Sequence, residues 1–452
     1  MAAAVGFGYW DTVRNDGVTG DFQGTLSWRW EPTAEELFLA QLSDGANDAK
    51  MIDAPLAAPE WPCFRGPKRD SVQPDVVLAE DWEATPPAEL WRTLIGPGWS
   101  SIAVAGSRLF TQEQRGDNEV VSCYHADDGS SLWIHAYPAR FWESVAGAGP
   151  RATPTLDEGR LFALGAEGLL HRLDPVTGDV VWQRDLKTDA GREPPTWGFS
   201  ASPLVVDDVV IVHAGGPADK GVLAYDCDSG DLRWSAPAGD HSYSSPHLAD
   251  VAGRTCVLML TNAGMTFIDP GQGALIWEYV WPYEGYRVVQ PLQVDATSLL
   301  LGTSIAGGTR RIEVRADGES FKAEEIWTSR WMKPAFNDYV AHQGHLYGFD
   351  QNVFGCIDLA TGERQWKRGR YGNGQVLLLP AADQLLVISE SGEIVLLRAT
   401  SDDLQELARH KMLEGKTWNH PVLVGDRLYV RNGAEAACYV MPLGGATGDV
   451  AQ

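Results

Sequence analysis

The stretch Asp174-Pro-Val-Thr-Gly178-Asp-Val-Val-Trp182 returns three more times in the chain, as Asp226-Cys-Asp-Ser-Gly230-Asp-Leu-Arg-Trp234, Asp269-Pro-Gly-Gln-Gly273-Ala-Leu-Ile-Trp277 and Asp358-Leu-Ala-Thr-Gly362-Glu-Arg-Gln-Trp366. All four read Asp-x3-Gly-x3-Trp. An Asp side chain can accept hydrogen bonds from backbone amides just ahead, and Gly takes the positive φ of a tight turn. The residues that follow carry the chain into a strand ending in a large flat side chain. Gly129 and Trp133 keep the second half of the pattern. Trp91 and Trp327 end weaker versions, and Arg398 to Leu407 is a degenerate copy with Leu407 in the tryptophan's place.

Upstream of each turn lies a pair of β-rich runs, such as Arg160–Leu164 with Gly168–Leu173, or Val209–His213 with Gly221–Tyr225. Upstream again a short strand opens at Thr153-Pro154, Ser202-Pro203, Ser245-Pro246, Gln290-Pro291 or His420-Pro421. Each unit is therefore four short strands in about 45 residues, a period that marks repeat architectures. Units open near residues 102, 154, 203, 246, 291, 336, 376 and 421. The eighth has three strands before the chain ends, and the orphaned run Glu89–Leu94 supplies its fourth. Closing the ring in this way removes the open sheet edges. The expectation is an all-β, eight-bladed β-propeller of four-stranded antiparallel blades over residues 89–443, with the tryptophans packing between blades.

The rest of the composition narrows the function. Among 452 residues there are 36 Lys plus Arg against 61 Asp plus Glu, a net charge of −25, and 18 tryptophans. That surplus argues against nucleic acid and against docking on an anionic membrane through a basic face. No run approaches the ~18–20 apolar residues of a spanning helix. Residues 1–10 are apolar without a basic region before them, and read either as a frayed end or as the tail of a membrane anchor. The six cysteines are scattered without a Cys-x-x-Cys pair, so zinc and thioredoxin-type sites are disfavoured and small buried hydrophobes are expected. Outside the ring, residues 1–60 form an extension in which Thr33-Ala-Glu-Glu36 reads as a capping box opening a helix through Leu42. Residues 45–50 read as a loop, 61–88 as a lead-in and 444–452 as a tail.

The Asp-x-x-Thr-Gly-x-x-x-Trp repeat resembles that of quinoprotein-like propellers. This family includes pyrroloquinoline-quinone dehydrogenases and the BamB-type lipoproteins of outer-membrane β-barrel assembly. The resemblance covers roughly residues 60–443, and the lead-in Trp61-Pro-Cys-Phe64-Arg65-Gly66-Pro67-Lys-Arg69-Asp70 is similar to that of bacterial quinone-binding-like propellers. So are Gly149 to Pro154, Gly369 to Gly372 and Lys416 to Pro421. The resemblance implies an extracytoplasmic or periplasmic body, an N-terminal membrane anchor and a protein partner in the envelope or a larger membrane complex.

Propellers carry functional groups on the loops leading into the innermost strands, and here those loops are aromatic and polar. Trp99, Glu113, Arg151, Trp197, His241, Arg287, Lys333, Asn337, Trp418 and His420 are the candidate lining of a funnel. Such a funnel suits a flat, anionic small molecule, because rings stack and guanidiniums pair with carboxylates. The same aromatics would equally plug the channel and cap the grooves between blades. The tryptophans of the repeat, Trp91, Trp133, Trp182, Trp234, Trp277, Trp327 and Trp366, are structural in this reading. The leading expectation is a binding scaffold of the bacterial envelope without a catalytic residue, metal or cofactor. The alternative implied by the resemblance is a quinone-dependent alcohol or polyol dehydrogenase holding pyrroloquinoline quinone and calcium. Oxygen ligands would then come from groups such as Glu113, Asn337 and Asp338. The adjacent Cys-Cys pair of many such enzymes is missing here. His342-Gln-Gly-His345 is a metal pair only in letters, since a hairpin need not make its histidines converge.

Overall fold

In the turn that opens the chain's repeat, Asp174 Oδ1 accepts from the amides of Val176 (2.7 Å) and Thr177 (3.0 Å), and Gly178 sits at φ 78°. Asp226 does the same with Asp228 and Ser229, and Asp269 with Gly271 and Gln272. The turn therefore forms from its own residues, and it delivers the tryptophan to a fixed place. Trp182 donates from Nε1 to Cys227 O of the next blade (3.0 Å), and its ring covers Gly230, where an added Cβ would come 2.7 Å from the indole. Trp91, Trp133, Trp234, Trp327 and Trp366 make the same reach, to Ala126, Pro175, Pro270, Leu359 and Thr400. Trp277 departs from the pattern and lies half-buried against Phe267 (5.2 Å) and Phe321 (6.3 Å). The following blade has replaced the Asp-x3-Gly turn with a hairpin of two 10-residue strands.

The computed structural model describes residues 11–20, 23–43, 55–303 and 307–445. The sheets are eight four-stranded antiparallel blades in a closed propeller, at residues 103–138, 155–185, 204–236, 247–280, 292–329, 340–367, 375–411 and 422–440 with the N-terminal strand Ala88–Leu94. Ala88–Leu94 pairs with Glu435–Val440, Ala88 opposite Val440 and Leu94 opposite Glu435, so the ring closes as its sequence implies. Hydrophobic cores fill the gaps between neighbouring blades, as where Phe162 and Leu164 of blade 2 meet Val210 and Val212 of blade 3. All six cysteines are buried free thiols within this packing. Blade 6 starts at Val340 rather than near 336. Asn337 and Asp338 are held in the loop by other bonds, to Gly374 O and from the Gln290 amide.

Outside the ring, the helix Ala34–Ser43 carries its capping box, with Thr33 N donating to Glu36 Oε2 (2.7 Å) and Glu36 N to Thr33 Oγ1 (3.1 Å). It is fastened to blade 1 through Glu35, which pairs with Arg140 (2.9 Å), and through buried Phe38 beneath Arg115. A hairpin of Val13–Val18 and Gly24–Trp28 precedes it. The expected anchor at residues 1–10 and the loop at 45–50 lie outside the described residues.

The start of the lead-in, residues 61–73, folds into the central channel. Trp61 bridges to Val104 of blade 1, and the Leu156 amide of blade 2 donates to Pro62 O. Arg69 donates to Ser202 O and Pro203 O of blade 3, Arg65 pairs with Asp338 of blade 6, and Gln73 donates to Leu378 O and Leu423 O of blades 7 and 8. Arg65, Arg69 and Ser71 have φ of 65°, 55° and 60°. That left-handed backbone is rare outside glycine and is held here by the surrounding bonds. The segment forms a hub.

Candidate aromatic site on the channel face

Above the hub, on the face where outer strands connect to inner ones, lies a cavity of about 160 Å³. Its walls are rings. Trp99 lies against Trp418 (5.0 Å between centroids), Phe336 against Trp418 (4.7 Å), Trp197 against Tyr243 (4.9 Å), and Phe64 of the hub meets His420 edge-on (4.8 Å). Below the rings, side-chain hydroxyls lace the blades together. The amide of Ser101 donates to Thr153 Oγ1 (3.0 Å), that of Thr153 to Ser202 Oγ (2.9 Å) and that of Ser202 to Ser245 Oγ (2.8 Å). Each accepting residue precedes a proline, which supplies no amide of its own and holds the preceding backbone extended. The Thr-Pro and Ser-Pro pairs of the sequence are thus a belt around the channel.

Charge in the cavity is balanced. Arg151 pairs with Glu143 (3.0 Å) and lies over Phe141, and burial pushes its pKa down to about 10 against the pull of Glu143. Glu143 also accepts from the Val145 and Ala146 amides, 2.7 Å each. Asp338 faces Arg65 (3.1 Å) and His420 (3.7 Å). Burial raises the Asp338 carboxyl and holds His420 well below its ordinary value, so His420 is neutral.

Of the ten candidate residues, Trp99, Arg151, Trp197, Trp418 and His420 line this cavity. The other five point elsewhere. Glu113 is buried against blade 8, accepting from Gly96 N, Ser122 and Tyr124 and pairing with Arg115. Burial raises its pKa, but Arg115 and the hydroxyls outweigh this and hold it low. Arg287 donates to Thr261 O and Trp281 O with its guanidinium over the Trp281 ring, and Lys333 pairs with Asp350 (2.8 Å). Asn337 donates to Gly374 O, and His241, outside the cavity lining, meets Tyr243 edge-on and Tyr286 at a tilt. Of the candidate cations Arg151, Arg287 and Lys333, only Arg151 lines the cavity, and it is already paired with Glu143. Phe64, Glu143, Phe336 and Gln375 also line the cavity. No local motif marked them, because their positions depend on the hub and on the ring's curvature.

Calcium and quinone find no prepared seat among these groups. Glu113 is buried between blade 1 and blade 8, whereas Asn337 donates to Gly374 O and Asp338 takes Arg65 and the Gln290 amide in the loop before blade 6, so the nominated ligands do not converge. Among the described residues no three His, Cys, Asp or Glu side chains gather as metal ligands. His342 and His345 stand opposite each other in a hairpin, but His342 bonds Asp383 and His345 bonds Gln343 O.

The N-terminal hairpin reaches the rim of the cavity. Lys416 lies over Trp418 (4.4 Å) and Trp99 (5.2 Å) and donates to Val18 O and Val145 O, 3.2 Å each. Gly20 N donates to Glu390 (2.6 Å), and a Cβ on Gly20 would collide with Asn373.

Residues 117–298 match the family described as outer membrane protein assembly factor BamB. The chain is similar to BamB. It is 24% identical to outer membrane protein assembly factor BamB of Shewanella oneidensis over 329 residues, 67% of this chain and 75% of that one. With the BamB of Yersinia pestis it shares 22% over 284 residues, 59% of this chain and 66% of that one. Among solved structures, BamB from Moraxella catarrhalis superposes with a TM-score of 0.58 at 17% identity, over 78% of this chain and all of that one. Quinohemoprotein alcohol dehydrogenase from Comamonas testosteroni gives 0.56 at 13%, over 87% and 82%. These structural likenesses show the fold. Among the described residues no helix is long and apolar enough to cross a membrane.

Proposed function

We infer that this chain is a binding scaffold of the bacterial cell envelope that engages a protein of outer-membrane assembly through the face carrying the aromatic cavity. The observation that carries this reading is the distribution of exposed aromatics. Trp142 is 61% exposed and Trp331 is 40% exposed. Both lie on connections between outer and inner strands, on the face that carries the tryptophan-walled cavity, with the Arg364 guanidinium over the Trp331 ring (4.3 Å). Tryptophan is enriched at the centres of protein interfaces, where it buries a large flat area. The similarity to BamB, whose name denotes outer-membrane protein assembly, supplies the partner class.

The test is recovery of the partner with the tagged full chain from its own envelope. Replacing Trp142 and Trp331 together by Ser should reduce recovered β-barrel assembly proteins at least tenfold while the melting temperature stays unchanged. Undiminished recovery would remove this face from consideration.

A second reading rests on the cavity itself. About 160 Å³ of ring-lined space accepts a flat apolar molecule of roughly the size that fills an engineered benzene cavity. Because Arg151 already holds Glu143, the fit is to a neutral ligand rather than an anionic one. Indole, added to the protein, should quench the fluorescence of the cavity tryptophans, and Trp418→Leu should abolish the saturable part. A response that is linear in indole concentration, without saturation, would count against it.

A further inference from the structure

The hub divides the channel, and its other side opens into a second basin of about 890 Å³ on the opposite face of the ring. Two side chains in the wall of this basin are unusual. Arg69 is 5% exposed and its Nη atoms donate to Pro203 O and Ser202 O, yet its Nε has no partner. His247 is 8% exposed and its Nδ1 also has no partner. Both residues line the basin. A buried polar atom left unpaired costs about 1–3 kcal/mol, so native structures seldom keep one without a use for it. The Arg69 guanidinium also interacts with the Cys63 thiol, and its unpartnered Nε–H, beside an Nη hydrogen, belongs to the paired edge that matches a carboxylate.

The rest of the lining is mainly acidic: Asp70, Asp157, Glu158, Asp250 and Asp295 line the same basin, with Lys68 as its one other Lys or Arg. Asp157 is held by Arg160 and Asp295 by Arg311, whereas the Asp250 carboxylate takes the Thr255 hydroxyl. A polyanion such as a phosphate would meet these acids and the overall charge of −25 before it reached Arg69. A molecule with a single carboxylate and a cationic group at its far end meets complementary charge at both places.

We propose that this basin is a binding site for a zwitterionic ligand, which seats its carboxylate on Arg69 Nε and His247 Nδ1 and its cationic end at the Asp250 side of the rim. His247 suits this role as a neutral ring, since burial, with Arg69 and Arg65 nearby, pulls its pKa down to about 3. Its tautomer can then place a hydrogen on Nδ1 to meet the ligand oxygen. The site is independent of the aromatic face, and neither reading needs the other.

Three probes of one length separate the contributions: 6-aminohexanoate, hexanoate and hexylamine, titrated by calorimetry into the full chain. Binding should be tightest for 6-aminohexanoate, weaker for hexanoate and undetectable for hexylamine. Arg69→Lys and His247→Leu should each weaken 6-aminohexanoate at least tenfold, and Arg151→Gln in the aromatic cavity should leave it unchanged. Because Arg69 also holds blade 3, the unmutated chain gives a second readout. Among its 10 histidines, the ring nitrogen signals of His247 should shift on adding 6-aminohexanoate while those of His420 stay in place. The proposal is overturned if 6-aminohexanoate does not bind, if hexylamine binds as tightly, or if the His247 signals stay fixed at saturation.

Discussion

At the scale of single residues, one glycine beneath one tryptophan joins five of the eight junctions between blades. Gly230 has φ 74°, and an added Cβ would come 2.7 Å from the Trp182 ring. Gly230→Ala should therefore destabilise the protein by about 1–3 kcal/mol, combining backbone strain with a displaced indole. Trp182→Ala should cost about 3–5 kcal/mol. The double variant should cost less than the sum, because both changes break one contact. Urea unfolding of the three variants measures this.

Glu119 gives a pH effect with a definite sign. Burial raises its pKa from 4.5 to about 7, against its bonds from Tyr137 and the Ala166 amide. Between those values the unfolded chain has released the proton and the folded chain keeps it, so this group's contribution falls as pH rises. The total loss is about 3 kcal/mol. Glu119→Gln should remove that part of the slope between pH 4.5 and 7, measured as the wild-type minus variant difference in urea unfolding. The turn residues were legible in the sequence because Asp174 and Gly178 act on neighbours two to four positions away. Arg287 and Lys333 were not. Their loop positions resembled that of Arg151, but their partners, Trp281 and Asp350, are fixed by which way each loop folds over its own blade.

At the scale of elements, the strand Ala88–Leu94 carries the ring's closure and the N-terminal hairpin does not. A chain beginning at residue 55 should keep the melting temperature of the ring within a few degrees. A chain beginning at residue 95 exposes the Glu435–Val440 edge and removes the hub, and should lose more than ~10 °C or aggregate. Scanning calorimetry of the two truncations decides this. Lys416 joins the hairpin to the cavity rim through Val18 O. Lys416→Met should speed amide exchange in residues 13–28 while leaving the blades protected.

The closing strand was readable because an eighth unit with three strands leaves one alternating run unassigned. The hub was not. Nothing local says that Arg65, Arg69 and Ser71 adopt positive φ, since those angles are held by blades distant in sequence.

At the scale of the whole molecule, the tryptophans of the repeat are spent between blades, while Trp99, Trp197 and Trp418 of the connecting loops gather around a cavity whose charge is already balanced. The acidic surplus lies elsewhere, including the rim of the opposite basin. The eight-fold architecture could be read from spacing alone, because the repeat encodes it locally. The content of the site could be read only in part, because it is assembled from the entries to all eight blades and from the hub. The central claim is that the aromatic face, and not the basin face, meets the protein partner. Photo-crosslinking in the native envelope tests it most directly, with a photoreactive amino acid placed singly at Trp142, Trp331, Glu158 and Asp295. The account predicts adducts with outer-membrane assembly proteins from positions 142 and 331 and none from 158 and 295. Adducts from the basin positions, or none from the aromatic ones, would contradict it.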